Sequence, residues 1–330
     1  MKGVLTKAEV AGRGTGTAVR TPLEDFEAQP RDEARAFLSG VMFLTRLPCP
    51  GWCDHHPGHL IRGMAYFPII GALIGLWQAS IYEATASVWG PVVGAALSMA
   101  GTLWLTGCFH EDGLCDTLDA FGGGWSKAQI LKIMRDSRNG SYATMGGCIW
   151  VVAKIASIAR TGDRSSGSGP GHHDTVIAEA LGMGDAGLAI IAAQCIARAT
   201  AAPLVYACNY ITDDEDAKGD FYNWFGDSTR LLGLARVFFA IFSAAAVAVA
   251  TLPQDLAIQA LVCGSVCTVI AGLYGNAVLG GVIGDFLGAT ICMTELAVYL
   301  AVSGDFQGAD AHAWQRLGIV VFIIAVRLRF

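Results

Sequence analysis

Apolar residues along this chain gather into long stretches separated by short, sharply polar breaks. The stretches carry almost no charge and run for about 17 to 22 residues, the length that crosses a bilayer as a helix. The candidate spans are Met64–Tyr82, Val92–Cys108, Tyr142–Ile158, Leu188–Tyr206, Leu231–Leu252, Leu256–Tyr274 and Phe286–Val302. A shorter run, Leu317–Val326, is a tilted span or a re-entrant piece. The predicted fold class is all-α: a polytopic integral membrane helical bundle of about seven or eight transmembrane helices. Gly71 and Gly75 place a small-residue stripe on the first span for close helix packing. Lys154 falls near one end of the third span, where its stem lets the ammonium snorkel to the interface. Arg198 and Glu295 lie inside spans, where a charge is costly unless it faces the bundle interior.

The flanks organise around these spans. Ala36, Phe37, Val41, Phe43, Leu44 and Leu47 pattern Glu33–Leu47 as an amphipathic interfacial helix, stopped by Pro48 and Pro50. Asp54, His55, His56 and His59 read as a polar turn before the first span, against a weaker metal-cluster reading. Residues 1–35 are expected to be a flexible extension, and 36–330 a single membrane catalytic domain. The composition of 161–175 marks a disordered loop. Counting spans puts the polar stretches 108–140 and 209–230 on one side with Asp285 and with Arg35, Arg46, Arg62, Lys127, Lys132, Arg135 and Arg138. The positive-inside rule makes that side cytoplasmic.

Composition sharpens this picture. Hydrophobic residues are 53% and charged residues 15%, whereas soluble domains carry about 25% charge. Mean hydropathy is +0.48. A net charge of −6 without a basic patch argues against nucleic acid as a partner. Ten Cys without a C-x-x-C pair, several inside apolar runs, behave as small hydrophobes rather than as a disulfide framework.

The candidate chemistry is concentrated in 108–140. Asp112, Asp116 and Asp119 fall at i, i+4 and i+7, on one face if the stretch is helical. Three like charges on one stripe repel unless a cation sits among them, and carboxylate oxygens suit Mg²⁺ or Mn²⁺. The bland alternative is a solvated acidic loop, about as common on spacing alone. Gly122, Gly123 and Gly124 end the acidic helix, and a short basic helix follows over about 126–138. Arg135 and Arg138 are the first candidates for holding phosphate, with Arg46, Arg62 and Arg198 behind them; topological anchoring is the competing role for each.

The order of these motifs resembles the cobalamin (vitamin B12) synthase family. The resemblance rests on FLTRLPCP at 43–50, RGMAYFPIIGALIG at 62–75, FHEDGLCDTLDAF at 109–121, MRDSRNG at 134–140, IAR at 196–198 and GGVIGDFLGA at 280–289. It covers about residues 36–300, and the combination is far more specific than any one piece. Two positions depart from the family's pattern: Ile283 stands where Thr is usual before Gly-Asp, and Ala120 where Gly commonly follows Asp119.

The resemblance implies a Mg²⁺-dependent ribazoletransferase. Adenosylcobinamide-GDP and α-ribazole (or its 5′-phosphate) would give adenosylcobalamin (or its 5′-phosphate) and GMP. It also implies Asp285 as part of the polar wall or of a second metal site. Asp136, or one acid of the stripe, would take the proton of the attacking hydroxyl. Expected partners are these substrates and membrane lipids, with a homo-oligomer permitted by the small-residue stripes. The membrane would be the inner membrane of a bacterium or an organelle membrane. Competing classes are another membrane phosphotransferase acting on nucleotide-activated head groups, a transporter lined by Arg198 and Glu295, and a structural subunit.

Overall fold

The computed structural model of the protein describes residues 32–53, 56–165, 180–211 and 228–304. They are all-α apart from one isolated parallel bridge between Tyr210 and Val282. Six helical stretches are long and apolar enough to cross a membrane: Pro57–Trp89, Ser141–Asp163, Asp185–Ala207, Leu231–Thr251, Gln254–Val278 and Gly284–Ser303. A bent pair, Pro91–Thr106 with Phe109–Gly123, makes up to 7. The Leu317–Val326 run and the acidic residues Asp213–Asp227 lie outside the described residues.

Local chemistry sets the helix boundaries. Helix α1 (Glu33–Leu44) ends shortly before Pro48 and Pro50. Helix α2 (Pro57–Gly63) starts at a proline, and His56 caps it by accepting a hydrogen bond at Nδ1 from the Gly58 N–H, 3.1 Å away. His56 is thus a helix cap. A 3-10 turn at Met64–Tyr66 joins α2 to α3 (Phe67–Trp89), so the first span is longer at both ends than the sequence pattern indicated. Helix α4 (Pro91–Thr106) and helix α5 (Phe109–Gly123) meet at 95°. The bend is made by two consecutive left-handed residues, Gly107 (φ 71°) and Cys108 (φ 58°). Their N–H groups donate to the Leu103 carbonyl at 2.8 and 3.1 Å, which closes the end of α4.

Helix α6 (Lys127–Met134) follows the glycines and is capped by Ser126, whose hydroxyl accepts from the Gln129 N–H. Helix α7 (Ser141–Ser165) reaches into the segment expected to be loop from residue 161, because its polar last turn adds to a well-anchored apolar helix. Helices α8 (Asp185–Ala199) and α9 (Ala201–Ala207) form one span. Helices α10 (Ser228–Thr251), α11 (Gln254–Val278) and α12 (Gly284–Ser303) complete the bundle.

Helices α8 and α12 are the inner members, while α10 and α11 expose most of their apolar surface. The main core joins Ala79, Ile158, Ile190, Ala193, Ala260 and Val298 from five helices. The Gly71–Gly75 stripe packs on α8: a methyl group built at Gly71 would lie 2.5 Å from the Gln194 carbonyl oxygen. One built at Gly75 would lie 2.7 Å from the Ile191 Cα. This approach brings α3 and α8 together at backbone distance, as small residues do in membrane bundles.

The bundle interior also holds charge. Lys154 Nζ lies 2.8 Å from Glu295 Oε1, and both side chains are almost fully buried. The ammonium also sits 4.7 Å from the centre of the Trp150 ring. The expectation that Lys154 snorkels is therefore corrected: a carboxylate on α12 holds it inward.

Candidate active site

The acidic stretch folds as the helix that its spacing indicates. Helix α5 carries Asp112, Asp116 and Asp119 and stops at Gly123, with Gly124 in extended conformation. Leu114 anchors its opposite face in a small core with Met99, Trp150, Ala289, Cys292 and Leu296. Ala120, Ile130, Met134 and Leu279 form a second core that fixes α6 on α5. The amphipathic pattern of α5 thus turns its polar side away from the bundle, and Asp112 is exposed.

Asp285 meets this helix at the start of α12. A methyl group at Gly113 would stand 2.8 Å from the Asp285 carbonyl oxygen and 3.0 Å from its Cα. Gly288 packs one turn later against the His110 carbonyl. The loop before α12 is held by backbone pairing: the Ile211 N–H donates to Val282 O, and the Val282 N–H to Asn209 O, both at 2.8 Å. Two acidic segments about 170 positions apart thereby share one end of the bundle, the geometry that non-local packing alone can supply.

Their carboxylates act on one another. Burial first, then the like charges of Asp112, Asp285 and Asp119, push the Asp116 carboxyl up to about 6. A cation placed here would relieve that repulsion. Among the described residues, no group of three or more His, Cys, Asp or Glu stands ready to enclose a metal ion. The donor set nonetheless suits Mg²⁺, which takes one or two carboxylates and completes its shell with water and phosphate oxygens. Asp112, Asp116 and Asp285 are the carboxylates whose charges meet here.

Asp119 has other work. Its Oδ2 accepts a hydrogen bond from the Gly140 N–H at 2.5 Å, and its Oδ1 accepts one from Ala143 at 2.9 Å. It therefore caps the N-terminus of α7 and ties the 135–140 loop to α5. Because both oxygens are engaged by backbone donors, Asp119 is better placed to orient that loop than to hold a metal. Replacing it by Asn, which keeps one of the two acceptors, should lower the melting temperature less than replacing it by Ala. Ala should cost about 1–2 kcal/mol, the usual value of a lost cap. Thermal melts of the two variants in detergent check this, and equal losses would contradict the capping role.

The arginines divide into two groups. Arg138 forms a bidentate pair with Asp136, at 2.9 and 2.7 Å, on an exposed loop. The pairing holds the Asp136 carboxyl down at about 2, so the expectation that Asp136 accepts a proton is not favoured by this arrangement. Arg135 is exposed beside it. The Arg46 guanidinium lies over Gly107 at the bend leading into α5, where a side chain would collide with it. Arg46 also borders a cavity of about 420 Å³ lined by Met42, Leu47, Cys49 and Pro50.

Arg62 and Arg198 are buried instead. Arg198 donates through Nη1 to the side-chain and main-chain oxygens of Gln194. Gln194 in turn donates to Gln78 Oε1 at 2.7 Å and to Glu295 Oε1 at 2.6 Å. Arg198 thus belongs to an interior network, apart from the exposed phosphate candidates.

Lys127 was counted from sequence only as a topological charge. A methyl group at Gly280, a position with φ 80°, would lie 3.5 Å from its Nζ, so it reaches the loop that leads to Asp285. Helix α6 supplies the geometry that its sequence position could not reveal.

A family model described as "Cobalamin-5-phosphate synthase" matches residues 36–303. An adenosylcobinamide-GDP ribazoletransferase of Leptothrix cholodnii is 34% identical over 270 residues, covering 81% of this chain and 94% of that protein. The protein of the same description from Shewanella oneidensis is 31% identical over 277 residues, covering 82% and 94%. No solved structure matches.

Proposed function

We infer, for a chain that belongs to the cobalamin-5-phosphate synthase family, that it is an adenosylcobinamide-GDP ribazoletransferase acting at a membrane surface. The observation that carries this reading is the meeting of α5 with the start of α12, which sets Asp112 and Asp116 beside Asp285 with a guanidinium-bearing loop nearby. A membrane-embedded bundle with such a site suits one substrate with a bulky ring system and another that is a small nucleoside alcohol.

In the reaction the 3′-hydroxyl of α-ribazole, or of its 5′-phosphate, attacks the phosphorus joined to cobinamide. A new P–O bond forms, the pyrophosphate P–O bond breaks, and GMP leaves with the bridging oxygen. The proton of the hydroxyl passes to a carboxylate of the α5–α12 cluster. When bound, Mg²⁺ would screen the phosphate oxygens and the charge that develops on the leaving group. Arg135 and Arg46 supply further positive charge for the pyrophosphate, while Asp136 orients Arg138. Asp119 keeps the arginine loop against α5 through the α7 cap. The carboxylate face is taken as cytoplasmic, in a bacterial inner membrane or an organelle membrane, since nucleotide substrates and the basic residues counted from sequence belong on that side.

Purified protein in liposomes, given adenosylcobinamide-GDP, α-ribazole and Mg²⁺, is expected to release GMP and form the cobamide in equal amounts. Folded protein that makes no product with these substrates, but transfers another nucleotide-activated head group, would replace this reading with the second phosphotransferase class.

A further inference from the structure

Helices α7 and α12 are tied to each other at three levels of the bundle. Trp150 Nε1 donates to the Cys292 carbonyl at 3.0 Å, Lys154 Nζ lies 2.8 Å from Glu295 Oε1, and Arg160 Nε donates to the Ser303 carbonyl at 3.0 Å. Each tie joins residues about 142 positions apart, so the two helices run parallel and in step. The first two ties support each other, because Trp150 and Lys154 lie one turn apart and the ammonium sits against the indole ring. Apolar contacts in a bilayer discriminate weakly between one alignment and the next, a turn or about 5.4 Å away. A buried ammonium and carboxylate discriminate strongly, since such a slide would leave each without its partner in a low-dielectric interior. The pair therefore selects one register.

That register reaches the carboxylate site at the ends of the same two helices, because α5 rests on both of them. Gly113 and the His110 carbonyl pack on Asp285 and Gly288 at the start of α12. Further along α5, the Asp119 carboxylate accepts from the Gly140 and Ala143 N–H groups at the start of α7. By the same offset, Ala143 stands level with Asp285. The relative height of the two helix starts thus sets the tilt of α5 and, with it, the approach of Asp112 and Asp116 to Asp285. We propose that Lys154 and Glu295 are positioning residues: their ion pair, about 16 Å along α7 from Ala143, holds α7 and α12 in the register that aims the α5 carboxylates. The inference rests on the proposed reaction only for its second readout.

The test removes the pair and reads the far end of α7. In the full-length protein in detergent, Lys154→Met and Glu295→Gln each leave one buried charge without its ionic partner. Each should lower the melting temperature by about 5–10 °C. The double variant holds neither charge, keeps an acceptor for the Gln194 amide, and should recover at least half of the summed loss. Stability and register then separate. Hydrogen exchange at Gly140 and Ala143, read by mass spectrometry, should be about tenfold faster in the double variant than in wild type, although the substitution on α7 lies about three turns away. GMP release at saturating Mg²⁺ should stay about tenfold below wild type. A pair that served stability alone would let both readouts recover with the melt. The return of either to the wild-type value would overturn the inference, as would additive melting losses. If the double variant does not fold, Trp150→Phe decides, since it removes the Cys292 tie and leaves both charges in place. Exchange about threefold faster at the same two amides supports the register, and unchanged exchange overturns it. Wild-type protein that releases no GMP overturns the reaction instead, and the exchange comparison still decides the register.

Discussion

Asp112→Asn is expected to lower GMP release by about 10²–10³-fold, the range seen when one preorganised stabiliser of transition-state charge is removed, with little change in melting temperature. Asp112 is exposed, so losing its charge disturbs no packing. Its change should even ease the repulsion that raises Asp116. The effect is therefore one on chemistry and not on folding. Steady-state GMP release across a Mg²⁺ titration, beside a thermal melt, checks it. The variant should also need more Mg²⁺, because one of the oxygen donors becomes an amide. Unchanged turnover at every Mg²⁺ concentration would remove Asp112 from the site and shift attention to Asp116 and Asp285.

Gly113→Ala should reduce both stability and turnover, although the same change in an isolated helix would add stability. Alanine is favoured over glycine inside a helix by about 1 kcal/mol. Here, however, the new methyl group would stand 2.8 Å from the Asp285 carbonyl oxygen and 3.0 Å from its Cα. The obstacle is backbone at the start of a buried span, which cannot swing aside as a side-chain tip would. Overpacking of this kind costs about 1–3 kcal/mol, so the net change is a loss. The strain is relieved by moving α12 away from α5, which carries Asp285 away from Asp112 and Asp116. A displacement of about 1 Å at reacting groups can cost about 10²-fold in rate. Gly113→Ala is thus expected to lower the melting temperature modestly and the rate steeply, read by the same melt and GMP assay. A variant more stable than wild type and equally active would show that the two backbones are free to separate.

Much of the architecture was legible in the sequence because bilayer thickness imposes a length on every span and a penalty on every charge inside one. The apolar runs therefore marked the spans, to within about seven residues at their ends. The i, i+4, i+7 spacing marked the acidic face of α5, and the glycines marked its end. The 95° turn was not legible, since it depends on Cys108, a residue with no special preference for the left-handed conformation that it adopts. The role of Asp119 was also hidden. Spacing groups it with Asp112 and Asp116, but the N-terminus of α7, which begins about 20 residues later, reaches its carboxylate first.

What the sequence determined by itself is therefore whatever depends on neighbours along the chain: the membrane class, the helices, and the carboxylate stripe with the arginines that follow it. Only the tertiary structure decided which distant groups meet. It put Asp285 against Gly113, Lys154 against Glu295, and Arg198 onto Gln194. The physical reason is the same in each case. A charge on one helix has an energy set by its partners on other helices, and linear spacing carries no record of which helices the packing will bring side by side.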